Sequence, residues 1–305
     1  MTVIGMIFLL IVGFAAGYYI NMSPASPGGN SEDSAWRTQS ITLAGSTTVL
    51  PIANASAVAF MNQYTGTTVT VSGGGSGVGY SNIIDSVVNI GMASREPKQT
   101  EIDNAKSKGR ALWLYPIALD AVCVVVNPSV VDGGKQLALT LQEVGKIFAG
   151  EYTYWDEVAT GLPHQQIFVV VREPGSGTRG TFEEFTMDPW DYEVTTAANT
   201  RSSNPEVVTA VSGTQYAIGY VGFGFLNENM YTVSVYSESQ SENILPTTTT
   251  IASGTYPMSR YLYLLTNSRP QSGSLTERFI DFILSPDGQA IVEQKGFLKL
   301  PEYPA

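Results

Sequence analysis

From Ile41 onward the chain alternates between two kinds of apolar pattern: short β-branched runs that end in glycine, and longer stretches whose apolar residues recur at helical spacing. Ile41-Thr-Leu-Ala44 is the first run, and a helix is expected to begin near Pro51 and to carry Ile52, Val58, Ala59 and Met61. Thr67-Thr-Val-Thr-Val71 is the second, followed by Gly73-Gly-Gly-Ser-Gly-Val-Gly79 and a helix through Ile83, Ile84 and Val87. Ile167-Phe-Val-Val-Val171 is the third, followed by Arg172-Glu-Pro-Gly-Ser-Gly-Thr178 and a helix through Phe182 and Phe185. The same design thus occurs three times at unequal spacing, which predicts an α/β fold and not a solenoid.

Other helix ends are equally readable. Thr140 with Glu143 forms a capping box whose helix stops near Gly150; Ser285 caps a helix with Pro286 in its first turn, and Gly296 ends it. The first 40 residues have a different pattern. Val3 to Ile20 is uncharged, apolar and just long enough to cross a bilayer, so residues 1–20 are expected to be a membrane anchor or signal segment. No basic flank typical of a signal peptide precedes it, which favours a retained anchor. Residues 21–40, rich in Ser, Pro, Gly and Asn, are expected to be a flexible tether.

A chain of 305 residues exceeds the usual size of one core, so two lobes are expected after the tether. The formal net charge of −11 repels nucleic-acid backbones, so nucleic acid is not an expected partner, and any anion must be held by local, directed donors. Cys123 lies in the apolar run Ala121-Val-Cys-Val-Val-Val126 and reads as a small core residue. The single histidine, His164, reads as a solvated loop residue and leaves no material for a Ser-His triad or a histidine metal cluster. Tyr152, Tyr154 and Trp155 read as packing residues near a helix end.

The candidate chemistry lies in the three glycine-rich turns. A helix start has unpartnered N–H groups and a partial positive charge, glycine lets a ligand approach them, and Ser or Thr adds hydroxyl donors. Gly45-Ser-Thr-Thr48, Gly75-Ser-Gly77 and Gly175-Ser-Gly-Thr178 each combine these features, and converging they could surround a tetrahedral oxyanion. Arg172, directly before the third turn, supplies a guanidinium that can donate two parallel hydrogen bonds. Gly175-Ser-Gly-Thr-Arg-Gly180 also fits the dinucleotide pattern G-x-G-x-x-G, but it begins mid-chain and Thr195, not an acid, lies twenty residues on. Neither a G-x-x-x-x-G-K-[ST] loop nor a nucleophile elbow occurs, so an enzyme is not expected.

With these residues in place the chain resembles the phosphate-binding proteins of phosphate ABC transporters, which have the type 2 periplasmic-binding-protein fold. The resemblance is carried by Val171-Arg-Glu-Pro-Gly-Ser-Gly-Thr-Arg-Gly180, Gly45-Ser-Thr-Thr48, Gly73-Gly-Gly-Ser-Gly77 and Ile90-Gly-Met-Ala-Ser-Arg95. Leu141-Gln-Glu-Val-Gly-Lys-Ile-Phe-Ala-Gly150, Ala217-Ile-Gly-Tyr-Val-Gly222 and Ser285-Pro-Asp-Gly-Gln289 support it. It implies a two-lobed fold, each lobe a mixed sheet flanked by helices, with residues 41–118 plus 255–305 in one lobe and 119–254 in the other.

The resemblance further implies inorganic phosphate as ligand, bound between the lobes by Thr47, Thr48, Ser76, Arg172, Ser176, Gly177 and Thr178, and an ABC permease as partner. It implies no cofactor, a monomer, and a place on the extracytoplasmic face of the membrane, with sulfate, molybdate or tungstate as alternative anions. Well-known members carry an aspartate after the Ala-Ser pair, where it accepts the phosphate proton; here that position is Arg95. Arg95 is therefore expected at the anion as a second positive charge favouring its more highly charged form, with Glu96 as a replacement acceptor.

Overall fold

The computed structural model describes residues 35–131 and 136–301. The expected anchor or signal segment, 1–20, and residues 21–34 of the expected tether lie outside the described residues. Trp36–Ala305 forms one compact unit. Its ordered packing starts before the predicted end of the tether: Ala35–Thr38 is a 3-10 turn, and Trp36 is buried against Phe60 and Tyr64. An indole cannot stay solvated next to an apolar surface of that size, and it recruits the end of a polar segment into the fold.

The first half runs β1 (Ser40–Gly45), α1 (Leu50–Gln63), β2 (Thr68–Ser72), α2 (Ser76–Ile84), β3 (Ile90–Ala93) and α3 (Gln99–Ser107). β4 (Trp113–Val126) leads into β5 (Ala138–Leu139), α4 (Leu141–Ala149), α5 (Trp155–Val158), β6 (Phe168–Arg172) and α6 (Gly177–Thr186). There follow β7 (Asn199–Arg201), α7 (Asn204–Gly213), β8 (Ala217–Gly222), β9 (Tyr231–Thr232), β10 (Ser234–Ser237), β11 (Glu242–Ile244) and α8 (Thr248–Ala252). β12 (Ser259–Thr266), α9 (Leu275–Leu284) and α10 (Pro286–Gln294) complete the order.

The predicted helix signals act where expected. Thr140 Oγ1 accepts from Glu143 N–H at 3.1 Å while Glu143 Oε2 accepts from Thr140 N–H at 2.7 Å, and Gly150 closes α4 in the left-handed region at φ +80°. Ser285 Oγ accepts from Gly288 N–H at 3.3 Å at the start of α10. Two expected apolar positions fall elsewhere: Val58 is on the outer face of α1, where Ile52, Ala53, Ala57 and Phe60 are buried instead, and Val87 lies beyond α2, 66% exposed. Apolar spacing alone did not resolve which side of each helix met the sheet.

Among the described residues nine strands form one continuous sheet in the order β2-β1-β3-β12-β4-β8-β6-β7, with β9 also on β4. β4 joins its two ends: residues from Trp113 to Ala121 pair antiparallel with β12, and Val122 to Val126 pair with β8. Ile117 to Val126 are all buried, the pattern of a strand covered on both faces, and Cys123 is among them as a core residue. Burial holds its thiol well above the usual range, which disfavours the thiolate.

Two large apolar clusters flank this junction. Buried residues of the first come from Trp36 to Ala118 and from Leu262 to Phe297; those of the second come from Leu119 to Met258. α6 and α4 pack in the second cluster through the Phe148–Phe182 and Phe182–Tyr220 ring contacts. Trp155 is wholly buried and donates to Tyr216 O, whereas Tyr154 is at the surface, stacked on the exposed His164, which is 2.9 Å from Asp156. No helix among the described residues is long and apolar enough to cross a membrane.

Candidate functional site

The three predicted turns each join a strand of the large sheet to a helix; β1 and β2 run antiparallel to β6, so the helix starts that follow them face one another about the middle of β4. β1 feeds the Ser46–Val49 turn before α1, β2 feeds the Gly73–Gly75 turn before α2, and β6 feeds the Glu173–Ser176 turn before α6. The second and third meet directly: Gly77 N–H donates to Gly175 O at 3.0 Å, across almost a hundred residues of sequence. Gly75 takes φ +87°, a left-handed conformation open to glycine at little cost, and its free face lies against Gly175 and Glu173.

Arg172 ends β6 and is 1% exposed. Its backbone N–H donates to the hydroxyl of Tyr220, whose ionisation burial suppresses. Its side chain is fixed on several sides: Nη2 donates to Glu173 Oε1 at 2.8 Å, Ser202 O at 3.0 Å and Thr47 Oγ1 at 3.2 Å, and Nε donates to Glu173 Oε2 at 3.0 Å. Nη1 is buried and has no acceptor among the described residues. A buried charged donor needs an acceptor, and Nη1 is the part of this carboxylate-fixed guanidinium that remains for a ligand to engage.

Around it the predicted residues assemble. Thr48 Oγ1 is 3.0 Å from Thr178 Oγ1, a contact between the start of α1 and the start of α6. Ser76 Oγ accepts from Ser94 N–H at 3.0 Å and is 3.3 Å from Ser94 Oγ. Ser176 caps α6 by accepting from Arg179 N–H at 3.2 Å, which leaves the N–H groups of Gly177 and Thr178 with no acceptor inside the helix. Gly177 lies so close to the hydroxyls of Ser76 and Ser94 that no β-carbon fits. Thr47, Thr48, Ser76, Arg172, Ser176, Gly177 and Thr178 are thus brought together.

Arg95 is placed differently. Its Nη1 and Nη2 donate to Glu101 Oε2 and Oε1 at 2.8 and 2.7 Å, Nη1 also donates to Glu96 O, and the guanidinium lies over the Tyr80 ring at 5.0 Å. Its side chain touches Gly180 in α6, one turn past the helix start. Both terminal nitrogens are therefore engaged by groups of its own segment. Glu96 is exposed and accepts from Tyr263 Oη at 2.5 Å, so it is not a buried acceptor facing the turns.

Four further polar residues belong to this network. Asn204 starts α7, is fully buried, and accepts from Gly222 N–H at 3.3 Å through Oδ1. Because an N–H can only donate, this orients the amide and leaves Nδ2 to donate to Thr48 Oγ1 at 2.9 Å. Asp120 and Arg260 form a buried ion pair at 2.7 Å, and Ser94 ends the Ile90–Ala93 strand against Ser76. Asp120 was missed in the sequence, although one signal could have found it: a carboxylate in the apolar run Ile117 to Val126 cannot be buried unpartnered.

The class of protein defined by this fold and site is that of the periplasmic-type binding proteins. The chain belongs to the PBP superfamily domain family, whose profile matches residues 30–287. Among its relatives is the phosphate-binding protein PstS of Borreliella burgdorferi, 29% identical over 265 residues, covering 85% of this chain and 89% of that relative. The phosphate-binding protein PstS of Bacillus subtilis is 29% identical over 264 residues, covering 86% and 81%. A Clostridium perfringens protein assigned as a phosphate ABC transporter substrate-binding protein and solved with bound phosphate superimposes with a TM-score of 0.72 at 29% identity, covering 86% of this chain and all of that one.

Proposed function

We propose that this protein is the substrate-binding component of a phosphate ABC importer, which captures inorganic phosphate and delivers it to the permease. The observation that carries the reading is Arg172: a buried guanidinium, fixed by Glu173 and Thr47, keeps Nη1 unpaired next to helix starts whose N–H groups and hydroxyls converge. The relatives named for phosphate binding, and the related structure with phosphate bound, support the same ligand. Sulfate, molybdate and tungstate are the alternative tetrahedral anions.

In this reading capture needs no chemistry. Donors held in place within each lobe replace the water shed by the anion, so reorganisation on binding is confined to the approach of the lobes. Residues 41–118 with 255–305 act as one lobe and 119–254 as the other, and phosphate sits between them held by Thr47, Thr48, Ser76, Arg172, Ser176, Gly177 and Thr178. The protein works as a monomer on the extracytoplasmic face of the membrane, held there by residues 1–20. Arg95 supports the rim through Glu101 and Gly180.

Calorimetric titration with phosphate, with sulfate as competitor, tests the ligand, and Arg172→Ala tests the site. The variant should lose at least about 100-fold in affinity, as expected when a charge-assisted pair and the helix-start contacts it aligns are removed together. Wild-type affinity in Arg172→Ala would place the site elsewhere, and equal affinity for sulfate would remove selectivity for phosphate.

A further inference from the structure

The site holds a second guanidinium nitrogen that is buried and has no acceptor among the described residues: Nη1 of Arg260. Arg260 faces Asp120 directly across the β4–β12 ladder, on the two strands that connect the apolar clusters. Both residues are buried, at 8% and 0% exposure. Asp120 has used both oxygens, Oδ2 on Arg260 Nε at 2.9 Å and Nη2 at 2.7 Å, Oδ1 on Phe223 N–H at 2.8 Å. A fork of this kind sets the plane of the guanidinium and therefore the direction of its remaining nitrogen.

That direction is tied to the site. Arg260 Nη2 also donates to Thr178 Oγ1 at 3.2 Å, and Thr178 is 3.0 Å from Thr48, the neighbour of the threonine that accepts from Arg172. The two guanidinium groups thus adjoin the same pair of turns, each neutralised by its own carboxylate and each with Nη1 unpaired. A buried guanidinium nitrogen needs an acceptor, and these two belong to arginines linked through Thr47, Thr48 and Thr178.

We propose that Arg260 is a second guanidinium ligand of the bound anion, donating through Nη1, with Asp120 as the positioning residue that aims it. This rests on the reading of the site as a phosphate site and reassigns the second positive charge from Arg95, whose terminal nitrogens are held by Glu101, to a residue of β12. The anion then meets donors from the strands beneath the turns as well as from the turns. Because each arginine carries its own counter-charge, the site attracts by aimed hydrogen bonds and not by net charge, in keeping with a chain of formal charge −11.

The test begins with the unaltered protein. Absence of phosphate binding in calorimetry would overturn the phosphate reading itself. If phosphate binds, a crystal structure of the complex should place Arg260 Nη1 within about 3.2 Å of a phosphate oxygen; a water-filled or longer separation would overturn the Arg260 assignment and leave the phosphate reading standing. Arg260→Lys keeps the partner of Asp120 and its charge but removes Nη1, and should weaken phosphate binding about 10- to 100-fold. Asp120→Asn with Arg260→Gln replaces the ion pair by neutral amides and should do the same, ligand-free melting confirming that each variant is folded. Affinity within twofold of wild type in either folded variant would also overturn the assignment.

Discussion

Gly177 is packed so tightly between the two sides of the site that a β-carbon there would overlap the hydroxyls of Ser76 and Ser94. Gly177→Ala therefore should hold the helix start away from Ser76. Overpacking of a close contact costs about 1–3 kcal/mol, equivalent to roughly 5- to 150-fold in phosphate affinity. Calorimetry of the alanine variant measures it, and an unchanged affinity would mean that these loops do not meet in the bound state. The placement of Gly177 and Arg172 was legible in the sequence because it is local: a turn that must open a helix, and a charge directly before it. Arg260 was not, because Ser259-Arg-Tyr-Leu-Tyr263 reads as an alternating strand with a polar outer face, and only pairing with a strand 140 positions earlier buries it. Arg95 was expected at the anion from its position in a motif, whereas in the described arrangement its terminal nitrogens donate to Glu101, six residues on, a pairing that no motif position announces.

At the scale of elements, helix starts were the most readable features, as Thr140, Ser176 and Ser285 show, because a cap is decided within four residues. The start of α7 adds a dependence on pH. Glu206 accepts from Ser202 Oγ at 2.5 Å, Ser202 N–H at 3.1 Å and Ser203 Oγ at 3.1 Å, and Ser202 O in turn accepts from Arg172 Nη2. The Ser202 hydroxyl and backbone bonds, aided by Ser203 and the nearby Arg172 charge, hold the Glu206 carboxyl below 4.5. A lowered carboxylate pKa stabilises the fold fully above 4.5 and loses that contribution as pH falls through the lowered value. Glu206→Gln should accordingly flatten the acid side of the melting curve, measured as melting temperature between pH 3 and 7. An identical acid limb in the variant would exclude Glu206 as its source. The short strands β5, β7, β9 and β11, two or three residues each, were not legible: too few positions alternate to distinguish them from loop.

For the whole molecule the α/β character could be read from strand, glycine turn and helix recurring together, and the binding-protein fold came from the resemblance carried by the turn motifs, whereas the sheet order could not be read. Parallel neighbours such as β6 and β8 are set by long crossovers that no local pattern records. The described arrangement holds the turns against one another through Gly77 to Gly175, Arg172 to Thr47 and Thr48 to Thr178. Hinged opening of the proposed lobes would break these contacts, and phosphate would restore them by bonding to both sides. Small-angle scattering should therefore give a smaller radius of gyration with phosphate than without, and an identical radius would rule out a hinge of measurable amplitude.

The placement of the buried Asp120–Arg260 pair on the two connecting strands has a mechanical corollary. A point near a rotation axis travels least when the bodies on either side turn, so if the proposed lobes open about these strands the threonines and serines at the rim would separate while Arg260 shifted least. Unloading would then begin with the grips of one lobe, and the anion would be presented to the exit by the other, with the axle residue still beside it.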